Sequence, residues 1–214
     1  MKMTIWRSWI LAGGILLAGA GAAGAAPLAP VSYDMPNGET GSYQYWDESY
    51  TGSGNPLVSL SPLSGGLGDL TDGVIATQNW NIVEAPAGPG PYVGWYTITP
   101  TITFHFGGPV TVDAVTFYVD DANGYGGVRT PAGFVIAGTS YSVADPPGSA
   151  PTSYTIGNLG LSLSDLAVTI NRQPGCWVFV SEIAFTGTPV PIPASALLLG
   201  SGLTSLVAWR RRRS

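Results

Sequence analysis

The chain has 214 residues but a single cysteine, a single histidine and only 10% charged residues. One cysteine excludes an intrachain disulfide. One cysteine with one histidine also excludes a His–Cys metal cluster. Lysine is absent from residues 27–190, where Arg129 and Arg172 are the only cations. All 13 carboxylates lie in that stretch, so it carries −11 although the whole chain reads −5. Such a body repels phosphates, which excludes nucleic acid as a partner and suits divalent cations or neutral polar ones. Neither a G-x-S-x-G turn nor a phosphate loop opening a helix is present. Adjacent Asp120 and Asp121 point to opposite faces of an extended strand, so they are poorly placed as a catalytic carboxylate pair. No repeat of 20–50 residues stands out, which argues against a propeller or solenoid. With 45% apolar residues the chain is too hydrophobic to be disordered, and its 30 glycines follow no triplet period.

The two ends differ from this body. Lys2 and Arg7 precede an apolar run from Trp9 to Ala23, and Ala23-Gly24-Ala25 offers a small-residue cleavage site. Residues 1–26 therefore read as a signal peptide with a short helix. At the other end Ala194 to Trp209 is apolar, and Arg210, Arg211, Arg212 and Arg213 follow at once. Extended back to Val190, the run suits a transmembrane helix whose arginines stay cytoplasmic. Val190-Pro191-Ile192-Pro193, the apolar run and the arginine cluster together resemble a PEP-CTERM sorting tail, here residues 189–214. That resemblance implies export in a Gram-negative bacterium that makes extracellular polysaccharide. It further implies processing of the membrane-anchored precursor by an exosortase, a membrane transpeptidase. Ile192 departs from the pattern, which has Glu between the two prolines.

Between the ends, residues 27–188 read as one all-β domain. No stretch keeps helical apolar spacing over ten residues without a Gly or Pro break, whereas short alternating runs abound. In Thr101-Ile102-Thr103-Phe104-His105-Phe106 the apolar residues share one face, and Thr101, Thr103 and His105 the other. Gly107-Gly108-Pro109 then predicts a turn, with Val110–Val119 as the second arm of a hairpin. Further strands are expected at 43–50, 74–84, 92–98, 133–137, 139–143, 153–156, 166–170 and 176–186. Cys176 reads as a small buried apolar residue in the last of these. About nine short strands between Gly/Pro turns predict a β-sandwich of jelly-roll type. Trp80, Trp95, Phe104, Phe106, Phe117 and Phe185 are its expected core aromatics.

The loop Gly68-Asp69-Leu70-Thr71-Asp72-Gly73, with Thr77 and Trp80 after it, opens a longer pattern. It continues through Ile102–Gly107, Val112–Phe117 and Gly127-Val128-Arg129-Thr130-Pro131, and ends on Ser181-Glu182-Ile183-Ala184-Phe185. In this order the pieces resemble the discoidin-like, galactose-binding-like family, which includes several carbohydrate-binding modules. The resemblance implies a structural Ca²⁺ held by Asp72, Thr77 and Glu182, with Asp69 as a further candidate. Calcium takes six to eight oxygens, and a Gly-containing loop can turn several carbonyls toward one point. The bland alternative is an Asx turn at Asp72 and a solvated Glu182.

A second candidate patch is Asp120-Asp121-Ala122-Asn123-Gly124-Tyr125-Gly126-Gly127-Val128-Arg129. Sugar sites combine a stacking aromatic with planar polar groups. Asp121, Asn123, Tyr125 and Arg129 supply these, with Trp95, Tyr92 or Tyr96 as a wall. The competing reading is a turn whose aspartates pin its own backbone, with Arg129 paired to one of them. The expected function is thus a non-catalytic surface or matrix protein that binds extracellular polysaccharide. The alternatives are a purely structural biofilm component or, more remotely, a polysaccharide hydrolase.

Overall fold

The computed structural model describes residues 25–84 and 90–190. Nearly all of the expected signal segment and sorting tail lies outside the described residues, including Pro191, Ile192, Pro193 and the arginine cluster. The described strands are β1 (Ala26–Leu28), β2 (Ser32–Pro36), β3 (Pro62–Gly66), β4 (Val93–Trp95) and β5 (Thr101–Val119). They continue with β6 (Gly133–Ile136), β7 (Thr139–Ser142), β8 (Thr152–Ile156), β9 (Leu161–Asn171) and β10 (Val178–Pro189). One helical turn, α1 (Trp80–Val83), stands between β3 and β4. The main path of hydrogen-bonded neighbours is β1-β10-β5-β9-β6-β7, with β2 and β8 joined to β5, β3 to β2 and β4 to β10. The ladders are antiparallel throughout.

The fold is an all-β sandwich, and β5 makes it one. β2 pairs with its first half, β10 and β8 with its second half, and β9 with both sides of Gly107. The layers then close on each other through strands that share no ladder at the point of contact. Phe104 meets Phe185 of β10 at 4.7 Å between ring centroids, and Phe117 stacks on Phe134 of β6 at 3.8 Å. Each such fully buried side chain contributes roughly 1.5–3 kcal/mol. The six expected core aromatics are all buried.

The predicted hairpin at Gly107 is not formed. Residues 101–119 are one continuous strand, and β9 pairs with both sides of the irregularity between His105 and Val110. Gly107 has φ +70°, so the chain bulges there without reversing. A second irregularity, between Thr186 and Gly187 of β10 opposite Ala114 and Val112, resets the alternation of β5. As a result Val110 and Val112 are buried before it, and Val115, Phe117 and Val119 after it.

Two other expected strands are loops. Residues 43–50 carry only bends, turns and an isolated bridge at Gln44, and residues 74–84 form a loop ending in α1. The cause lies in β10, whose residues from Val178 to Ile183 are buried on both faces. One face holds Val178, Val180 and Ile183 in the main core, while Phe179 belongs to a second cluster on the other. The 70–84 segment covers that other face, donating Ala76 N–H to Ser181 Oγ and Gly73 N–H to Glu182 Oε2. The apolar residues of 74–84 therefore answer to a strand beneath them rather than to strand pairing. Cys176 is also corrected: it sits half-buried in the turn before β10 rather than in the strand.

Candidate functional site

At one end of the sandwich the second cluster packs Tyr45, Ala76, Trp80, Tyr92, Ala122, Val128 and Phe179, with Tyr43, Val83 and Trp177 partly buried against it. The loop from Asp120 to Arg129 lies over it. Asp120 Oδ2 accepts the Trp80 N–H at 3.0 Å and so anchors α1 to the end of β5. Gly124, Gly126 and Gly127 all have positive φ, so the loop turns tightly over Tyr125–Gly127 on left-handed rather than helical backbone. At Gly126 (φ +62°) a Cβ would fall 2.3 Å from Trp80 Cζ2, so only glycine lets the backbone lie against the indole. This closeness turns Tyr125 outward. It is 66% exposed and stands 6.3 Å from Trp80 between ring centroids.

Beside it, Asn79, Asn81, Ile82, Ala122, Tyr125 and Ser149 line a cleft of about 330 Å³. Asn79 Nδ2 bridges its two sides by donating to the carbonyls of Asp121 and Ser149. The Arg129 N–H donates to Trp177 O at 3.1 Å. Its guanidinium lies over Gly124 and makes no hydrogen bond or ion pair among the described residues.

The expected sugar residues thus divide. Asn123 and Tyr125 are exposed and Arg129 is half-buried, all on this loop. Asp121 is buried, and its Oδ1 accepts the Asn123 N–H at 3.1 Å, so it shapes the turn instead of facing a ligand. Trp95 is corrected outright. It is fully buried, and its indole N–H donates to the carbonyls of Pro36 and Asn37. Tyr92 is likewise buried, whereas Tyr96 is 40% exposed.

A second cleft, of about 470 Å³, is lined by Glu48, Ser49, Asp69, Asp72, Val74, Gly90 and Pro91. Here Asp72 and Glu182 meet across one loop: Asp72 Oδ1 accepts the Val74 N–H at 2.8 Å and Glu182 Oε2 the Gly73 N–H at 3.0 Å. Burial, with the Asp72 charge beside it, pushes Glu182 up to about 7. Burial and neighbouring carboxylates push Asp69 and Glu48 up to about 7 as well. The donors are hard oxygens, which is calcium chemistry. They do not close on one point: Thr77 is exposed and hydrogen-bonds to neither carboxylate among the described residues. No group of three His, Cys, Asp or Glu among the described residues is arranged around a common centre.

His105 lies on the hydroxyl-bearing face of β5. Its Nδ1 faces Asp165 Oδ1 at 2.5 Å and its Nε2 faces Asp34 Oδ2 at 3.2 Å. Both ring nitrogens are thereby engaged, and the hydrogen bond to Asp165 raises its pKa.

Sequence reasoning missed Asn79, Asn81, Ser149 and Trp177. None sits in a motif, and all reach this end only through the packing of loops far apart in the chain.

No protein-family model matches the chain, and no curated protein matches it. Among solved structures it is similar to the family 32 CBM of Clostridium perfringens NanJ, crystallised with galactose. The match has 13% identity and a TM-score of 0.33, and covers 55% of this chain and 82% of that one. The CBM32 of AlyQ in complex with 4,5-unsaturated mannuronic acid matches at 18% identity and a TM-score of 0.29, over 52% of this chain and 91% of that one. A chitosan-binding module from a Paenibacillus chitosanase/glucanase matches at 14% identity and a TM-score of 0.31, over 44% and 76%.

Proposed function

We propose that the protein is an exported, non-catalytic module whose 120–129 loop binds a neutral extracellular polysaccharide. The observation that carries the reading is Tyr125, held outward by the Gly126 contact on Trp80, on the same loop as an Arg129 guanidinium that makes no hydrogen bond or ion pair among the described residues. A sugar ring presents an apolar C–H face to an aromatic and hydroxyls to planar polar groups, and Asn79, Asn81, Asn123 and Ser149 stand within the same loop cluster. The −11 body favours a neutral polymer over an anionic one.

The test is retention of the full-length protein on β-glucan, mannan and galactan, followed by titration. The native protein should be retained by at least one. Tyr125→Ala should weaken that binding by about tenfold, equivalent to about 1.4 kcal/mol, without lowering Tm. No retention on any polysaccharide, or binding indifferent to Tyr125→Ala, sinks the reading.

Calcium belongs to the same proposal as a structural companion. Asp72 and Glu182, which flank the Gly73–Val74 turn without converging, would have to be drawn together by the ion, which would then join the 68–73 loop to β10. EDTA should lower Tm, and Asp72→Ala should abolish that shift. Identical melting with and without EDTA removes the ion.

Residues 1–26 and 189–214 enter the proposal as a signal peptide and an exosortase-processed tail. The protein would then be delivered to the surface or matrix of a Gram-negative cell. Mass spectrometry of the natural protein tests this: termini near Ala25 and Pro191 are expected, and an intact arginine cluster at the C-terminus overturns it.

A further inference from the structure

We infer that the corner of the sandwich beside Val190 rests on a lipid bilayer while the tail is embedded, with the 120–129 loop turned away from it. This rests on the tail reading, in which an apolar run from Ala194 to Trp209 is closed by Arg210–Arg213.

The corner is built by β5. Phe104 packs on Phe185 at 4.7 Å between ring centroids, and Phe185 is the ladder partner of Val115. The two halves of β5 therefore face each other across the core, and residues 107–109 are the bend between them. Both described ends come to this bend. Val190 N–H donates to Pro109 O at 3.0 Å, and Val31 N–H donates to His105 O at 2.7 Å. β1 pairs with the same end of β10, Ala26 lying opposite Gly187. The 120–129 loop leaves the other end, where Val119 pairs with Val180 and Asp120 N–H donates to Phe179 O at 3.1 Å. The strand from Val110 to Val119, at about 3.3 Å per residue, holds that loop roughly 30 Å from the bend.

Two properties of the corner suit a bilayer. The first is charge. Residues 25–33, 106–112, 156–164 and 183–190 hold no charged side chain, in a body of −11. Asp113 lies just beyond the second of these segments, and Asp34 and Asp165 face His105. At the far end Asp120 and Asp121 open the loop, and Glu182 pairs with Tyr118. Anionic headgroups repel carboxylates, so the acidic end turns outward. The second property is exposed apolar surface. Val31, against Gly107, is 58% exposed, and Val190, on Pro109, is 41% exposed. Such side chains gain by entering the headgroup boundary.

The tether is also short. Pro191, Ile192 and Pro193 alone separate Val190 from Ala194, and this stretch reaches at most about 15 Å. With Ala194 at the bilayer, Val190 is held near the headgroups.

The experiment reconstitutes the full-length protein in phosphatidylethanolamine–phosphatidylglycerol vesicles, in a Cys176→Ser background. One fluorophore is placed on Val31→Cys, Pro109→Cys or Ser149→Cys, all exposed positions. Ser149 marks the far end, because its carbonyl shares Asn79 Nδ2 with that of Asp121. A nitroxide on the lipid headgroup should quench the labels at residues 31 and 109 severalfold more than the label at residue 149. The two corner positions report separately, so a variant that fails to fold leaves the other to decide. Vesicle-bound protein quenched equally at both ends, or more at residue 149, overturns the orientation and leaves the tail reading standing. Protein that does not float with the vesicles removes the tail reading and this inference with it.

Discussion

Gly126 does more for the shape of the 120–129 loop than any charged residue near it. Its φ of +62° and the 2.3 Å approach a Cβ would make to Trp80 leave no room for a side chain. Tyr125 is outward because Gly126 is pressed inward. Gly126→Ala should cost about 1–2 kcal/mol in backbone strain alone. Displacement of the loop from Trp80 would add to that cost. Calorimetry should show a lower Tm, and polysaccharide retention should fall with it. A variant with native Tm and native retention would mean the loop does not depend on this contact. Asp121 teaches the complementary lesson. A carboxylate beside an aromatic invites a ligand reading, yet its oxygen is spent on the Asn123 N–H.

Among the elements, β5 decides the topology. A Gly-Gly-Pro stretch between two alternating runs has the local chemistry of a hairpin turn. The strand instead continues, because β9 offers hydrogen-bond partners to both halves. Gly107 absorbs the bulge at φ +70°, and a Cβ there would lie 3.1 Å from Val31 Cγ1. Gly107→Ala should therefore lower stability by about 1 kcal/mol or more, read as a reduced denaturant midpoint. Gly108→Ala next to it, where a Cβ meets nothing within 4 Å, should change little. Equal effects at the two positions would show that the bulge places no demand on Gly107. β10 makes a related point, since its double-sided burial turns the 74–84 segment from an expected strand into a covering loop.

For the whole molecule the governing fact is a set of buried carboxyl groups without matching cations among the described residues. Burial, helped by neighbouring carboxylates, pushes Asp47 and Asp120 up to about 6, Glu48, Asp69 and Glu182 to about 7 and Glu84 to about 8. Unfolded carboxyls release their protons near pH 4. Between about pH 4 and pH 8 the folded state thus binds more protons than the unfolded one, and stability falls as pH rises. His105, raised by Asp165 and Asp34, adds the same sign: its contribution is full below about pH 6.5 and is lost above it. Asp34 and Asp165, both lowered, act oppositely, and only below about pH 4. Tm should accordingly be higher at about pH 5 than at about pH 8. A Tm that rises across this interval would contradict the burial of these carboxylates.

How much was legible in the chain follows from which forces act locally. Alternation in Thr101–Phe106 and the aromatic positions of the core were readable because strand period and burial are written residue by residue. So was the acidic, lysine-free charge of residues 27–190, which is simple composition. The resemblance implies that Asp72 and Glu182 belong together, and each accepts a backbone N–H of the Gly73–Val74 turn. Trp95 reads both as core and as a wall of the sugar site, because an aromatic near a Gly/Pro turn looks the same whether it faces solvent or the Pro36 and Asn37 carbonyls. The core reading holds and the wall does not. Trp177, Asn79 and Ser149 were invisible for the converse reason, since only loop packing brings them beside Tyr125 and Arg129. The sequence by itself determined an all-β domain and its charge, because periodicity and composition need no partner. Only the tertiary structure decided which loops meet beside Tyr125, because those contacts depend on packing between segments far apart in the chain.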